Sequence, residues 1–255
     1  MRVLILGGTT EALACADRLG SDPRFDVILS LAGRTRNPRQ HAGVAHRVGG
    51  FGGVDGLAAY LGSERIDAVL DATHPFAAQI SAHAEQATGE RGVPLCTLVR
   101  PGWVAEPADR WISVATIEDA ADALGAEPRR VFLAVGRQGV GAFRHAGQHA
   151  YIIRAIERPD ADALPPDTTL IQARGPFAIQ EEIALLTSER IDVVVCKNAG
   201  GAATYAKIEA ARTLKLPVVM IERPYKAGRN VVASVTEAVA WLGRLHGSSR
   251  SERAV

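Results

Sequence analysis

Several protein classes are excluded by what this sequence lacks. It has three cysteines, Cys15, Cys96 and Cys196. They lie far apart, without the CxxC or Cys/His spacing of a zinc site. No metal is expected, and the thiols are expected to be reduced and buried, as in a cytoplasmic protein. No apolar run approaches the ~18 residues of a membrane span, so no membrane partner is expected. The apolar start Val3-Leu4-Ile5-Leu6 is too short for the core of a secretory leader. Net charge is only +1 and aromatics are 5% of the chain. Neither supports a nucleic-acid surface, and any anion site must be a local cluster. The motifs GxSxG, HExxH and GxxxxGK[ST] are absent. Without a nucleophile–base or P-loop signature, chemistry supplied by a cofactor is favoured.

What is present is a large apolar fraction, 47% of 255 residues, enough for one large α/β domain or two small ones. Short apolar runs at 2–6, 27–31, 68–71 and 95–99, with a further strand expected at 45–48, alternate with helical stretches at 11–19 and 75–87 and with a helix after the third strand that turns Leu57, Ala58 and Leu61 inward. This is the pattern of a parallel, doubly wound sheet. Arg100-Pro101-Gly102 and Glu106-Pro107 interrupt it. A second series follows, with strands at 112–114, 131–135, 151–154, 169–172, 193–196 and 218–221, the last of which is expected to close the sheet. Helices are expected at 117–124, 177–186 and 235–245, a turn plus helix at 201–214, and an unstructured tail after Gly247. The expected fold is α/β: two Rossmann-like lobes with parallel sheets and an interdomain cleft, 1–102 and 103–255. One continuous sheet is the alternative.

The first strand runs straight into Gly7-Gly8-Thr9-Thr10-Glu11-Ala12. Against G-x-G-x-x-G, Gly7 holds the first position, Thr9 replaces the second glycine and Ala12 takes the third. Backbone N–H groups of such a turn, with the following helix N-terminus, suit a pyrophosphate. A tight β–α turn with a threonine cap would look the same. The end of the second strand discriminates better. It reads Leu31-Ala32-Gly33-Arg34-Thr35-Arg36, with no acid for a ribose diol and two arginines around a hydroxyl. Guanidinium groups suit the 2′-phosphate of NADPH. Gly49-Gly50-Phe51-Gly52-Gly53 follows the third strand, where Phe51 is placed to cover an adenine or ribose. Asp71-Ala72-Thr73-His74-Pro75-Phe76 follows the fourth. Pro75 marks a helix start with Thr73 as its cap. His74 is a candidate contact to phosphate or nicotinamide, or an acid.

In the second half, three strand ends carry cations with glycine: Gly136-Arg137-Gln138-Gly139, Arg174-Gly175-Pro176-Phe177 and Lys197-Asn198-Ala199-Gly200-Gly201. Thr204 and Lys207 lie just downstream. If the strands are parallel, Arg137, Arg174 and Lys197 share one rim. In a nearly neutral chain that is where a polyanionic ligand belongs.

These segments, in order, together with Pro217-Val218-Val219-Met220-Ile221-Glu222-Arg223-Pro224, resemble the precorrin-6A reductases of cobalamin biosynthesis over nearly the whole chain. The Asp71–Ala77 and Lys197–Gly201 segments in combination carry the specificity. The resemblance implies an NADPH-dependent, cytoplasmic reductase that converts precorrin-6A to precorrin-6B by reducing a double bond of the macrocycle. It implies a cofactor domain at 1–102, with Gly7, Gly8, Thr9, Thr10, Glu11, Arg34, Thr35, Arg36, Gly50, Phe51, Thr73, His74 and Pro75 around NADPH. It implies a macrocycle domain at 103–255. There Gly136, Arg137, Gln138, Arg174, Gly175, Phe177, Lys197, Asn198, Gly200, Gly201, Thr204 and Lys207 face the acetate and propionate groups. His74, Lys207 or water would deliver the proton. The alternatives are an NADPH-binding redox sensor without catalysis and a cobalt-containing form of the substrate; the oligomeric state, monomer included, stays open.

Overall fold

The structure, a computed structural model, describes residues 1–33, 44–226, 228 and 230–252. Arg34, Thr35 and Arg36 lie outside the described residues. The chain forms two compact units, Met1–Pro101 with Pro224–Val255, and Gly102–Arg223. Each holds its own six-stranded sheet, and every strand pairing is parallel. One continuous sheet is thereby excluded.

In the first unit the strands are β1 (Arg2–Leu6), β2 (Asp26–Leu31), β3 (Ala45–Val48), β4 (Ala68–Asp71), β5 (Leu95–Leu98) and β12 (Val231–Val232). They lie in the order β12-β5-β4-β1-β2-β3. The central strands are mostly apolar, with no alternation, because helices cover both faces and leave no solvent side. Val3, Leu4 and Ile5 of β1 are fully buried. Helices α1 (Thr10–Gly20), α2 (Val54–Ser63), α3 (Ala78–Arg91) and α7 (Val235–Glu252) provide the cover. One core cluster contains Val3, Ile5, Leu19, Leu70, Ala238 and Leu242; another contains Leu4, Leu6, Leu57, Leu61 and Val69.

The second unit has β6 (Arg110–Val114), β7 (Arg130–Ala134), β8 (Ala150–Ala155), β9 (Asp167–Gln172), β10 (Val193–Lys197) and β11 (Pro217–Ile221), ordered β6-β11-β10-β7-β8-β9. Its helices are α4 (Ile117–Asp122), α5 (Ile179–Ser188) and α6 (Ala206–Thr213), with 3-10 turns at Val140–His145 and Ala161–Ala163.

Four expectations need correction. Residues 224–255 fold with the first unit, so the second does not run from 103 to 255. The two-residue strand β12 adds to the open edge of β5, pairing Val231 with Thr97 and Val232 with Leu98. Helix α7 then buries Ala238 and Leu242 in the first core. Second, β11 does not close its sheet: it lies inside, with β6 at the edge. Third, α7 continues past Gly247 to Glu252. Fourth, α3 starts at Ala78 with Ala77 as its N-cap residue. Thr73 therefore caps nothing, and Pro75 precedes the helix.

The cysteines are free and buried. Burial pushes the Cys15 and Cys96 thiols up to about 12, which keeps them unreactive. No helix among the described residues is long and apolar enough to cross a membrane, and no metal-binding cluster occurs among them.

Candidate functional site

In a parallel sheet all strands end on one rim, so loops distant in sequence become neighbours there. In the first unit that rim carries the Gly7–Thr10 turn after β1, the Gly49–Gly53 turn after β3 and the Ala72–Phe76 segment after β4. Gly7 is closely packed, since a Cβ there would meet Leu29 Cδ1 at 2.7 Å and push that side chain aside. Gly8 has φ of 115°, a region side chains disfavour. A Cβ on Gly8, Gly49, Gly50, Gly52 or Gly53 would meet nothing within 4 Å. The two turns therefore present open backbone, which fits a nucleotide approaching closely. Thr9 caps α1: its hydroxyl accepts from the Ala12 N–H at 3.1 Å and donates to the Ala72 carbonyl at 2.7 Å. That second bond joins the turn after β1 to the segment after β4. The Thr10 hydroxyl donates to Glu11, and Glu11 forms a 2.6 Å ion pair with Arg100. Thr9, Glu11, Ala72, Thr73, Pro75 and Arg100 line one shallow depression.

Phe51 is held rather than loose. The Arg47 guanidinium stacks on its ring at 3.7 Å and donates to the Gly49 and Gly50 carbonyls, both at 2.6 Å. Tyr60 meets the ring edge-on. Arg47 covers one face of Phe51, so the aromatic offers a ligand only what Arg47 leaves.

Asp71 closes β4 and is 1% exposed. One carboxylate oxygen accepts from the Thr73 N–H at 3.0 Å and from its hydroxyl at 2.6 Å. The other faces Lys226 Nζ at 3.5 Å. Lys226 also donates to the Thr73 hydroxyl at 2.8 Å. Burial holds Lys226 below the ordinary lysine range, against the pull of Asp71. His74 is half-buried, and its Nδ1 accepts from the Phe76 N–H at 3.2 Å. That bond leaves Nε2 as the protonated nitrogen of the neutral ring.

In the second unit the rim brings together the turns after β7, β9 and β10. Arg137 and Gln138 are exposed. Arg137 lies 3.7 Å from Glu157, a partner its sequence context did not announce. Gly136 adopts φ of 79°. Arg174 is exposed, and Lys197, the last residue of β10, is half-buried. Asn198 is buried, and its amide is spent on Trp103: Oδ1 accepts from the Trp103 N–H at 2.8 Å, and Nδ2 donates to the Trp103 carbonyl at 3.1 Å. Trp103 Nε1 donates to Gly201 at 2.9 Å. The Asn198–Gly201 turn is thus clipped to an indole. Close packing after β9 also explains Gly175, where a Cβ would meet the Ala203 carbonyl at 2.9 Å.

Lys207 is 4% exposed. Its Nζ donates to the Thr204 carbonyl at 2.5 Å and lies 4.9 Å from the Trp103 ring centre. Burial lowers its proton affinity most, with smaller opposing influences from Cys196 and Glu182 and a like-charge one from Arg154.

Sequence reasoning missed Trp103, Arg154, Glu182, Arg47, Asp71 as a charge, and Lys226. Arg154 had a signal: it interrupts the apolar run Tyr151-Ile152-Ile153 inside β8. Its guanidinium forms a two-pronged ion pair with buried Glu182 and stacks on Phe177 at 3.7 Å. Phe177 is therefore seated on a buried cation. Lys226 has no local signal, because its partner is 155 residues away in sequence.

The family described as Precorrin-6x reductase CbiJ/CobK matches residues 2–243. A precorrin-6A reductase of Sinorhizobium sp. is 51% identical over 238 residues, 93% of this chain and 91% of that protein. The precorrin-6A reductase of Rhodococcus erythropolis is 49% identical over 245 residues, 96% of this chain and 98% of that protein. A solved structure of CobK precorrin-6A reductase superposes with a TM-score of 0.89 at 45% identity, covering 96% of this chain and 97% of its own. This chain belongs to the precorrin-6x reductase CbiJ/CobK family.

Proposed function

We propose that the protein reduces precorrin-6A to precorrin-6B in cobalamin biosynthesis, with NADPH bound on the first unit and the macrocycle on the second. The observation that carries the reading is the rim of the second sheet. In a chain of net charge +1, one rim gathers Arg137, Arg174 and Lys197, which suits a macrocycle bearing many carboxylates. The first rim suits a dinucleotide through open backbone at Gly8 and Gly50 and the N-terminus of α1. Arg34, Thr35 and Arg36 are assigned to the 2′-phosphate on sequence grounds.

Reduction of the double bond adds a hydride to one carbon and a proton to its neighbour. NADPH supplies the hydride. Arg137, Gln138, Arg174 and Lys197 hold the macrocycle by its carboxylates, which sets the reacting bond in place. Asn198, Gly200, Gly201 and Thr204 shape the loop that positions Lys197 and Lys207. Phe177, fixed on Arg154, gives an apolar face for the ring. Lys207 delivers the proton: its buried ammonium holds its proton weakly, which suits a donor. His74, on the first unit, is assigned to the cofactor.

The test is anaerobic incubation of the purified protein with precorrin-6A and NADPH, following loss of reduced-nicotinamide absorbance. Substrate-dependent oxidation is expected. Its absence, with NADPH still binding, would favour a non-catalytic sensor; faster turnover of cobalt-precorrin-6A would move the substrate to the cobalt form. Lys207→Met is expected to lower kcat by ~100-fold or more and to leave the NADPH dissociation constant unchanged. An unchanged kcat would remove Lys207 from the proton step.

A further inference from the structure

We propose that Lys226 is a positioning residue of the cofactor site, which neutralises the buried Asp71 carboxylate beside the Gly7–Thr10 turn and so clears a negative charge from the place a pyrophosphate must occupy. The proposal rests on the reading that a dinucleotide binds this turn.

Strands β1 and β4 are neighbours, with Leu6 opposite Asp71. The strand that ends in Asp71 therefore stops next to the strand that opens into Gly7 and Gly8. Thr9 is bonded to the Ala72 carbonyl at 2.7 Å, so the turn and the carboxylate belong to one hydrogen-bonded unit. Asp71 has little contact with water, at 1% exposure. A buried carboxylate is poorly screened, and its field reaches nearby anions. An acid here is hostile to a dianion unless it is compensated.

The compensation comes from far along the chain. Lys226 lies in the segment between β11 and β12 that returns to the first unit. Its side chain is 3% exposed, and Nζ reaches Asp71 at 3.5 Å, the Thr73 hydroxyl at 2.8 Å and the Thr73 carbonyl at 3.3 Å. The Thr73 hydroxyl in turn donates to Asp71 at 2.6 Å. Thr73 thus bridges the pair, and it also lines the depression shared by Thr9, Glu11 and Arg100. The return of the C-terminal segment is more than cover for an open edge. It carries the counter-charge that makes this strand end compatible with an anionic cofactor.

The test is titration of the full chain with NADPH, read by reduced-nicotinamide fluorescence, which needs no macrocycle. Lys226→Met is expected to weaken binding about tenfold or more, because an acid then faces the pyrophosphate. The double variant Asp71→Asn/Lys226→Met is expected within about threefold of the starting protein, since both charges are gone. Asp71→Asn alone is expected to bind at least as tightly as the starting protein. A double variant as weak as Lys226→Met, or equal losses in both single variants, would overturn the proposal and leave a merely structural pair. If Lys226→Met does not fold, the remaining two variants decide it: both must bind within about threefold of the starting protein or more tightly, and a loss of about tenfold in either overturns the proposal. A starting protein that fails to bind NADPH, or binding that Gly8→Val leaves untouched, would instead overturn the cofactor reading.

Discussion

At the rim of the first sheet the groups proposed to meet the cofactor are mainly backbone: the Gly7–Thr10 turn, the Gly49–Gly53 turn and the N-terminus of α1. Among the described residues, charged side chains there are matched in two pairs, Glu11 with Arg100 and Asp71 with Lys226. At the rim of the second sheet the groups proposed to recognise the macrocycle are side chains. Arg137 and Arg174 are exposed, Lys197 is half-buried and Lys207 is buried, while buried Arg154 is matched by Glu182 and seats Phe177. The difference follows from the ligands proposed for each. A pyrophosphate is compact and is well served by converging N–H groups. A macrocycle with carboxylates around its edge needs cations spread over a wider span. The first design relies on backbone geometry, with the buried Asp71–Lys226 pair beneath it. The second relies on side-chain charge throughout, so more of its failure modes are electrostatic.

Three experiments sharpen that contrast. The largest effect is expected in the second unit. Glu182→Gln strands the Arg154 guanidinium among Phe132 and Phe177, which should cost ~3–5 kcal/mol of stability. The double variant Arg154→Met/Glu182→Met should recover most of it. Chemical denaturation of the full chain measures both, and a loss below ~1 kcal/mol for Glu182→Gln would mean the buried pair is not what holds this rim. In the first unit, Thr9→Ala removes the cap of α1 and the link to Ala72, and should cost about 1 kcal/mol. It should weaken NADPH binding several-fold, with Thr9→Ser restoring both. A cost for Thr9→Ala equal to that of Glu182→Gln would erase the distinction between the two rims. The smallest effect concerns pH. His149 of the second unit is 1% exposed, and burial, with Arg129 beside it, holds its proton affinity below the usual histidine range. The folded chain keeps it neutral while the unfolded chain takes up a proton below about pH 6.5. Stability should therefore fall as pH drops through that point, by less than ~1.4 kcal/mol per pH unit. Melting temperatures between pH 5.5 and 7.5 should drop less for His149→Gln; an identical slope would place the pH sensitivity elsewhere.

Much of this was legible in the sequence, for reasons that differ between elements. A strand buried on both faces appears as an apolar run, so Ala68–Asp71 was readable to the residue; the edge strand Ala45–Val48, with His46 and Arg47 and no fully buried residue, was readable from the glycine run that ends it. The Gly7–Thr10 turn was readable because the positive φ of Gly8 favours glycine and close packing on Leu29 favours a small residue at Gly7. The start of α3 was misread because Pro75 is a common first helical residue. Here Thr73, its expected cap, is drawn instead into the Asp71–Lys226 network.

The sequence alone determined that the chain is a parallel α/β protein, where its glycine turns lie, and which family's motifs it carries. Those features depend on windows of a few residues, where periodicity and backbone conformation are fixed locally. Only the tertiary structure decided that residues 224–255 return to the first unit, that Asn198 spends its amide on Trp103, and that Asp71 meets Lys226 and Arg154 meets Glu182. A buried charge must find a partner wherever the chain brings one, and a two-residue strand has no pattern of its own. Both are settled by long-range packing, which no local window records.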